Sequence, residues 1–231
     1  MEKYVVTISQ NSHALCKLRT RGKLSNMTKA ITSPNPSRGP VDHEVRDQIV
    51  AAATEHFRLY GYEKTTVSDL AKAIGFSKAY IYKFFESKQA IGELICANCV
   101  YEIEMDIRTA IDAVDRPPEK LRRMFKTAVE SSLRLLFENR KLHDIAASAC
   151  AEQWEVARAY EERIKAILQE ILRQGRETED FERKTPLDET AAAIYLVLRP
   201  FIIPLLLQHT LDYADEAPAR LSSLVLRSLS P

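Results

Sequence analysis

Apolar residues between Thr66 and Phe85 follow a helical spacing that is interrupted once, which predicts two short helices joined by a tight turn. Thr66 is suited to cap the first helix, with Asp69 completing a capping box, and Gly75 is suited to end it. Ser77 can cap the second helix. The inner face of the first helix is predicted to consist of Val67, Leu70, Ala71 and Ile74.

The second helix has an apolar side and a side rich in lysine and tyrosine. Ile81 and Phe85 are four residues apart and are predicted to point inward. The residues then turned toward solvent are Lys78, Ala79, Tyr82 and Lys83. Exposed lysine and tyrosine suit phosphate oxygens and base edges, so this helix is typical of proteins that bind duplex DNA. The alternative is an ordinary helical hairpin whose tyrosines pack against neighbouring helices.

The flanking segments extend this unit to four helices. Asp42 can cap a preceding helix that stops at Gly61, with an apolar stripe formed by Val45, Ile49, Ala52, Ala53 and Phe57. Ser87 can cap a long fourth helix that starts at Lys88. A lysine in a first turn opposes the helix dipole, so the sequence favours a nearby phosphate as its partner.

Residues 44–95 resemble the DNA-binding domain of TetR/AcrR-type transcriptional repressors. The motifs that carry the resemblance are AAxxxFxxxGY from Ala52, the stretch TTVSDLAKAIGFSKAYIY, and the close at Phe84, Phe85, Ser87 and Lys88. The resemblance implies phosphate contacts by Thr66, Tyr82 and Lys88. It places Ser77, Lys78, Ala79, Tyr80 and Lys83 in or beside the major groove.

Three residues depart from the commonest family pattern. Ala79 replaces a frequent glycine, and Tyr80 is bulky where a small residue is usual, so Tyr80 is expected to contact a thymine methyl or the sugar backbone. Phe84 stands where a polar aromatic residue often contacts phosphate, so one such contact is expected to be missing.

Composition predicts an all-α protein of two domains. The chain has 231 residues, is 45% hydrophobic and contains only six glycines, and it lacks the sustained alternation of a sheet. We expect a disordered basic N-terminal extension at 1–40, a helix-turn-helix DNA-binding domain at 41–87, and a helical ligand-binding and dimerisation domain at 88–231.

Charge is unevenly distributed along the chain. Residues 1–40 carry a net charge of +6, which leaves −5 for the rest, since the whole chain carries +1. Such an arm could follow phosphates or enter the minor groove, or it could be a leader without function. Met27 is an alternative start that would remove most of this charge.

Beyond residue 88 the pattern predicts further helices at 119–140, 142–148, 151–175, 188–208 and 217–229, with the fourth of these kinked by its prolines. The last two are more apolar than their own domain requires. They predict a homodimer interface, which the resemblance also implies, although they could instead cover their own core. A dimer related by a two-fold axis predicts a near-palindromic operator. The resemblance further implies a small-molecule inducer that displaces the fourth helix.

Candidate ligand-binding residues are aromatic, soft or polar groups on the middle helices, although each is also typical of an ordinary core. They are Tyr101, Met105, Phe125, Phe137, His143, Cys150, Trp154 and Phe201, with Trp154 the first choice.

Other chemistry is poorly supported. Cys96 and Cys99 form a C-x-x-C motif well inside a helix, where a disulfide would be strained, and no second pair completes a zinc site. No glycine-rich phosphate loop, nucleophile elbow or HExxH motif occurs, so we expect no enzyme activity, cofactor or metal. The longest apolar run, 191–207, is interrupted by Arg199 and two prolines, so we expect a cytoplasmic protein without membrane association. A helical adaptor that binds protein but not DNA is the remaining alternative.

Overall fold

A computed structural model describes residues 40–231, and every regular element in this range is helical, which confirms the all-α prediction. The helices are α1 (Pro40–Tyr60), α2 (Val67–Ile74), α3 (Lys78–Tyr82), α4 (Lys88–Asp112), α5 (Pro117–Glu138), α6 (Arg140–Ala151), α7 (Glu155–Glu177), α8 (Leu187–Ile202), α9 (Pro204–Leu207) and α10 (Ala217–Ser228), with a 3₁₀ turn at Leu211–Tyr213. All but the last residue of the predicted N-terminal extension lie outside the described range.

The first three helices share one apolar core. Ile49 and Phe57 of α1, Leu70 of α2 and Ile81 of α3 are fully buried. Gly61 directly follows α1 and stops the helix, as the sequence predicts. Its backbone is in the left-handed conformation, with φ +87°. The start of α1 differs from expectation, because the helix begins at Pro40 and Asp42 therefore lies in its first turn rather than at its cap.

In the rest of the chain α4 and α10 both pack against α5, and α8 packs against α7. Residues 44–231 form one compact unit. The predicted division at residue 88 remains a prediction. Within the described range, no helix combines the length and apolarity needed to cross a membrane.

Gly175 does not end α7, contrary to the sequence prediction. The helix continues to Glu177, and Phe181 folds back over the glycine. A Cβ at Gly175 would lie 2.0 Å from Phe181 Cδ2, so the glycine provides space for an aromatic ring rather than a helix terminus.

The predicted helix at 188–208 is broken rather than kinked. Pro200 lies inside α8, whereas Ile203 is extended at φ −88° and ψ 121°, and α9 starts at Pro204. A residue that precedes proline is disfavoured in the helical conformation, which explains why the break falls at Ile203. The other predicted helices are confirmed, although α6 is longer than expected.

Candidate functional site

The α2–α3 segment is a helix-turn-helix with both caps formed as predicted. Thr66 Oγ1 accepts a hydrogen bond from Asp69 N at 3.2 Å, and Thr66 N donates to Asp69 Oδ2 at 2.9 Å. Thr66 Oγ1 also donates to Asp69 Oδ2 at 2.7 Å, and the hydrogen bonds that the carboxylate accepts from the Thr66 hydroxyl and backbone N–H lower the pKa of Asp69. Gly75 ends α2 at φ +80°, and Ser77 Oγ accepts from Tyr80 N at 3.1 Å. The local sequence therefore fixes the start of both helices.

Helix α3 has the two faces that the sequence predicts. Ile81 and, just beyond the helix, Phe85 are buried. The exposed residues are Lys78, Ala79, Tyr82 and Lys83. The helix is one and a half turns long and ends at Tyr82, so Lys83 forms its C-cap.

The two lysines of this face lie over aromatic rings. Lys78 Nζ is 5.8 Å from the centroid of the Tyr82 ring, and Lys83 Nζ is 5.5 Å from that of Tyr80. Both distances fall within the range of cation–π attraction. The face thus combines positive charge with tyrosine rings on a small surface.

Tyr80 is held by two phenylalanines. Its ring meets Phe76 at 5.0 Å and Phe84 at 5.3 Å between centroids, both in edge-to-face geometry. Aromatic pairs at these distances favour such geometry. Tyr80 is half-buried, and the two phenylalanine rings fix the orientation of its ring without any binding partner. Phe84, which lacks a polar group, therefore has a packing role in this chain.

Lys88 has a protein partner that sequence reasoning missed. Its Nζ donates a hydrogen bond to the carbonyl oxygen of Tyr62 at 3.1 Å and lies 4.1 Å from the centroid of the Tyr62 ring. This contact attaches the start of α4 to the loop between α1 and α2. It supplies a reason for a lysine in the first turn that does not require phosphate.

Trp154 also contacts this loop rather than a cavity. Its indole meets the Tyr62 ring at 5.6 Å and donates from Nε1 to Glu152 at 2.9 Å. Gly92 of α4 makes room for both rings, because a Cβ there would lie 2.9 Å from Tyr62 Cε2. We call Tyr62, Lys88, Gly92 and Trp154 the α4 junction. A single glycine inside an apolar helix is the sequence feature that could have indicated this close packing.

A small cavity lies between α4, α5, α6, α7 and the α8–α9 break. Its volume is about 20 Å³, enough for about one water molecule. Of the eight candidate ligand-binding residues, His143 and Cys150 line it. Tyr160, Leu135 and Leu207 also line it and were not predicted.

The other six candidates lie elsewhere. Phe125 is fully buried in the core, Trp154 belongs to the α4 junction, and Tyr101 is half-buried on α4. Met105 and Phe137 are exposed, and Phe201 lines a separate surface depression of about 220 Å³ beside Tyr213. An aromatic or soft side chain on a middle helix is therefore a weak indicator of the cavity wall.

Two buried polar side chains at the cavity lack normal hydrogen bonds within the described part of the chain. They are the hydroxyl of Tyr160 and both ring nitrogens of His143. Asp144 Oδ1 is 3.9 Å from His143 Nδ1, which is too long for a hydrogen bond. Burial lowers the pKa of His143, with Arg140 adding to the effect and Asp144 opposing it, so the ring is neutral at pH 7.

Among the described residues, Cys96 is a buried thiol, and Cys99 and Cys150 are half-buried. Burial raises the pKa of Cys99 to about 12 and that of Cys150 to about 11, and it also raises the pKa of Cys96. Because the thiolate is the reactive form, these groups are poor nucleophiles. Residues 40–231 contain no cluster of three or more His, Cys, Asp or Glu side chains able to hold a metal ion.

Comparison with known proteins identifies the class to which this helix-turn-helix protein belongs. Residues 49–93 match the family of bacterial regulatory proteins described as the tetR family, and residues 117–223 match the tetracyclin repressor-like C-terminal domain. The chain therefore belongs to the TetR/AcrR family of transcriptional regulators, which are DNA-binding proteins and not enzymes.

Individual relatives agree with this assignment. The HTH-type transcriptional regulator HbdR of Aromatoleum sp. (strain CIB) is 35% identical over 78 residues, which is 34% of each chain. The HTH-type transcriptional repressor DhaR of Mycobacterium sp. (strain GP1) is 25% identical over 60% of this chain and 71% of its own. The match thus spans about a third of HbdR and under three quarters of DhaR.

A solved structure shares the fold. The fatty acid degradation regulator FadR from Bacillus halodurans superposes with a TM-score of 0.60, covering 83% of this chain and 97% of its own at 20% identity. The arrangement of helices described above is therefore that of a known regulator fold.

Proposed function

We propose that this protein is a ligand-responsive transcriptional repressor that binds a near-palindromic operator as a homodimer and is released by a small molecule. The observation that carries the proposal is the exposed face of α3, where Lys78, Tyr82 and Lys83 point away from the buried Ile81. Such a protein works in the cytoplasm, where the bacterial chromosome lies. The name of the relative DhaR, a repressor, supports repression as the outcome.

In this proposal the DNA-contacting residues fall into two groups with different roles. Thr66, Tyr82 and Lys88 contact phosphates and set the register on the duplex, whereas Ser77, Lys78, Ala79, Tyr80 and Lys83 contact base edges. Tyr80 is oriented by Phe76 and Phe84, so its ring enters the groove with little loss of rotamer entropy.

Dimerisation through α8 and α10 accounts for two exposed apolar side chains. Leu196 of α8 is 62% exposed and Leu224 of α10 is 54% exposed. We expect Leu196→Glu with Leu224→Glu to shift the sedimentation coefficient to that of a monomer. Phe137→Glu, at an equally exposed site on α5, is the control and should leave a dimer. A dimer would present two α3 helices to half-sites about 34 Å apart.

Release by an effector would act through α4. This helix contributes Cys96, Val100 and Ile103 to the cavity wall and Lys88 and Gly92 to the α4 junction. A ligand that enlarges the cavity would displace α4 and thereby the loop that carries Tyr62. A coupling free energy of about 1–3 kcal/mol would weaken operator affinity roughly 5- to 150-fold.

The test is titration of the protein with a duplex from its own upstream region at several salt concentrations. We expect specific binding whose affinity falls steeply with salt, as phosphate contacts require. Lys83→Ala should weaken specific binding roughly 10-fold and relax sequence preference. Lys126→Ala, an exposed lysine on α5, should not.

Two results would contradict the DNA-binding proposal. One is a confirmed dimer that binds no duplex at low salt, which would favour the helical adaptor instead. The other is a Lys83→Ala variant whose affinity and sequence preference match those of Lys126→Ala.

A further inference from the structure

The cavity is lined mainly by apolar side chains, with a few polar groups. Most of its wall is aliphatic, with residues such as Val100, Ile103, Leu135 and Ile202. Among the described residues that line it, none is Asp, Glu, Lys or Arg. An ionised group placed there would lose its hydration with no charged side chain in the wall to pair with it, because Arg163, Glu104 and Arg199 act on Tyr160 or Cys150 without lining the cavity.

Tyr160 gives this apolar space a polar end. Its side chain is 96% buried, since only 4% is exposed, and its hydroxyl finds no hydrogen-bond partner in the described part of the chain. Buried hydroxyls are nearly always paired, so an unpaired one at a cavity indicates a partner that enters the cavity. The hydroxyl of Ser132, by contrast, is already bonded to the carbonyl of Ala128.

His143 provides a second polar group at the same cavity. It is 98% buried, and its ring nitrogens make no hydrogen bond of normal geometry, although Asp144 and the backbone of Pro204 are polar neighbours. A neutral imidazole offers one donor and one acceptor and no charge. Both polar groups therefore suit a neutral partner better than an ionised one.

We infer that the effector is a neutral, mainly aliphatic molecule whose single hydroxyl or carbonyl group hydrogen-bonds to Tyr160 inside this cavity. This inference rests on the proposed ligand response and names the class of ligand. A carboxylate or an ammonium group on the same hydrocarbon would bind poorly.

The wall formed by α9 explains how a cavity of about 20 Å³ admits such a molecule. Pro204 and Leu207 close one side, and they belong to a four-residue helix that the extended Ile203 separates from α8. Movement of α9 at Ile203 would enlarge the space. Leu207 is buried, so its truncation should also enlarge the cavity.

The test compares three probes of equal chain length by calorimetry with the full chain: octan-1-ol, octanoate and octylammonium. We expect saturable binding of octan-1-ol at one site per chain, and binding of both charged probes at least about 10-fold weaker. Tyr160→Phe should weaken octan-1-ol binding about 5-fold, as loss of one hydrogen bond requires. Leu207→Ala should strengthen it.

The matched control is Tyr195→Phe. Tyr195 is also a buried tyrosine, but its hydroxyl bonds to Glu161 at 3.2 Å and does not line the cavity. This variant should bind octan-1-ol like the wild type. Equal affinity of the two phenylalanine variants would mean that Tyr160 bonds only to a buried water, and would overturn the inference.

Octanoate or octylammonium binding as tightly as octan-1-ol would overturn it as well. Operator release is measured separately, by adding octan-1-ol to the protein–duplex complex. If octan-1-ol binds with the expected discrimination but releases no duplex, the ligand class stands and the proposed ligand response fails. If no duplex binds at all, calorimetry still decides the ligand class.

Discussion

The indole of Trp154 lies directly on Gly92, so that a Cβ at residue 92 would be 3.3 Å from two carbon atoms of the ring. The same Cβ would be 2.9 Å from Tyr62 Cε2. These contacts join α4, the loop before α7 and the loop after α1 in one aromatic cluster. The helix-turn-helix is thereby packed against the region that also borders the cavity.

Gly92→Ala should lower the free energy of unfolding. Overpacking typically costs about 1–3 kcal/mol, and the better helix propensity of alanine offsets up to about 1 kcal/mol of this. We therefore expect a net loss of about 1 kcal/mol in urea unfolding. Asn98→Ala, at an exposed position of the same helix, should change stability by less than about 0.5 kcal/mol. A Gly92→Ala protein more stable than wild type would show that the two rings do not confine this position.

The effect of Gly175→Ala on the free energy of unfolding should depend on the residue at position 181, being unfavourable beside Phe181 and favourable beside alanine. In the wild-type chain the new methyl group would collide with the Phe181 ring, which is itself 97% buried, and should destabilise by about 1–3 kcal/mol. In a Phe181→Ala background the collision is gone, so the same change should stabilise α7 by up to about 1 kcal/mol. A double-mutant cycle by urea unfolding measures this coupling. Additive effects would refute the close packing of this pair.

Lys88→Met should test two contacts of Lys88 separately, the one with Tyr62 by protein stability and the one with phosphate by the salt dependence of DNA affinity. Loss of the partly buried hydrogen bond from Lys88 to the carbonyl oxygen of Tyr62 should lower the free energy of unfolding by about 1 kcal/mol. If Lys88 also contacts a phosphate, the slope of log affinity against log salt should become shallower by about one unit. Lys72→Met, on an exposed site of α2, controls for the stability measurement. Unchanged stability would mean that the Tyr62 contact contributes nothing, and an unchanged slope would remove Lys88 from the set of phosphate contacts.

His143 should make stability depend on pH in the weakly acidic range. Burial holds the pKa of His143 in the folded state below the usual 6.5. The imidazole therefore binds a proton less tightly in the folded chain than in the unfolded chain. Stability should therefore fall as pH decreases below about 6.5, since the unfolded state then binds more protons. Urea unfolding of the wild type and His143→Gln between pH 5 and 8 tests this. In His143→Gln the free energy of unfolding should decrease less as the pH falls. Identical pH profiles for the two proteins would contradict the conclusion that His143 is buried and neutral.

Local sequence signals predicted the helix-turn-helix well. Thr66, Gly75 and Ser77 act on backbone groups within a few residues, so their effect depends little on the rest of the fold. The inward direction of Ile81 follows from helical periodicity in the same way.

Contacts between distant segments were not predictable in this way. Gly175 was expected to end a helix, since the sequence does not show that Phe181 folds back over it. The contact between Lys88 and Tyr62 was missed because the two residues are 26 positions apart, and the phosphate contact of Lys88 stays a prediction. Trp154 was expected at the cavity, but its position depends on space left by Gly92. In each case the deciding contact is a tertiary one, which no periodicity or capping rule encodes.

The break at Ile203 divides α8, proposed as a dimerisation helix, from the short α9, which closes one side of the cavity. Leu196 lies on α8, before the break, whereas Pro204 and Leu207 close the cavity from the short α9 beyond it. If the cavity holds the effector and α8 pairs the subunits, as proposed, changes confined to the four residues of α9 would alter which molecules the chain recognises while subunit pairing is kept. For directed evolution of a sensor with a new chemical preference, α9 is accordingly the segment to randomise first.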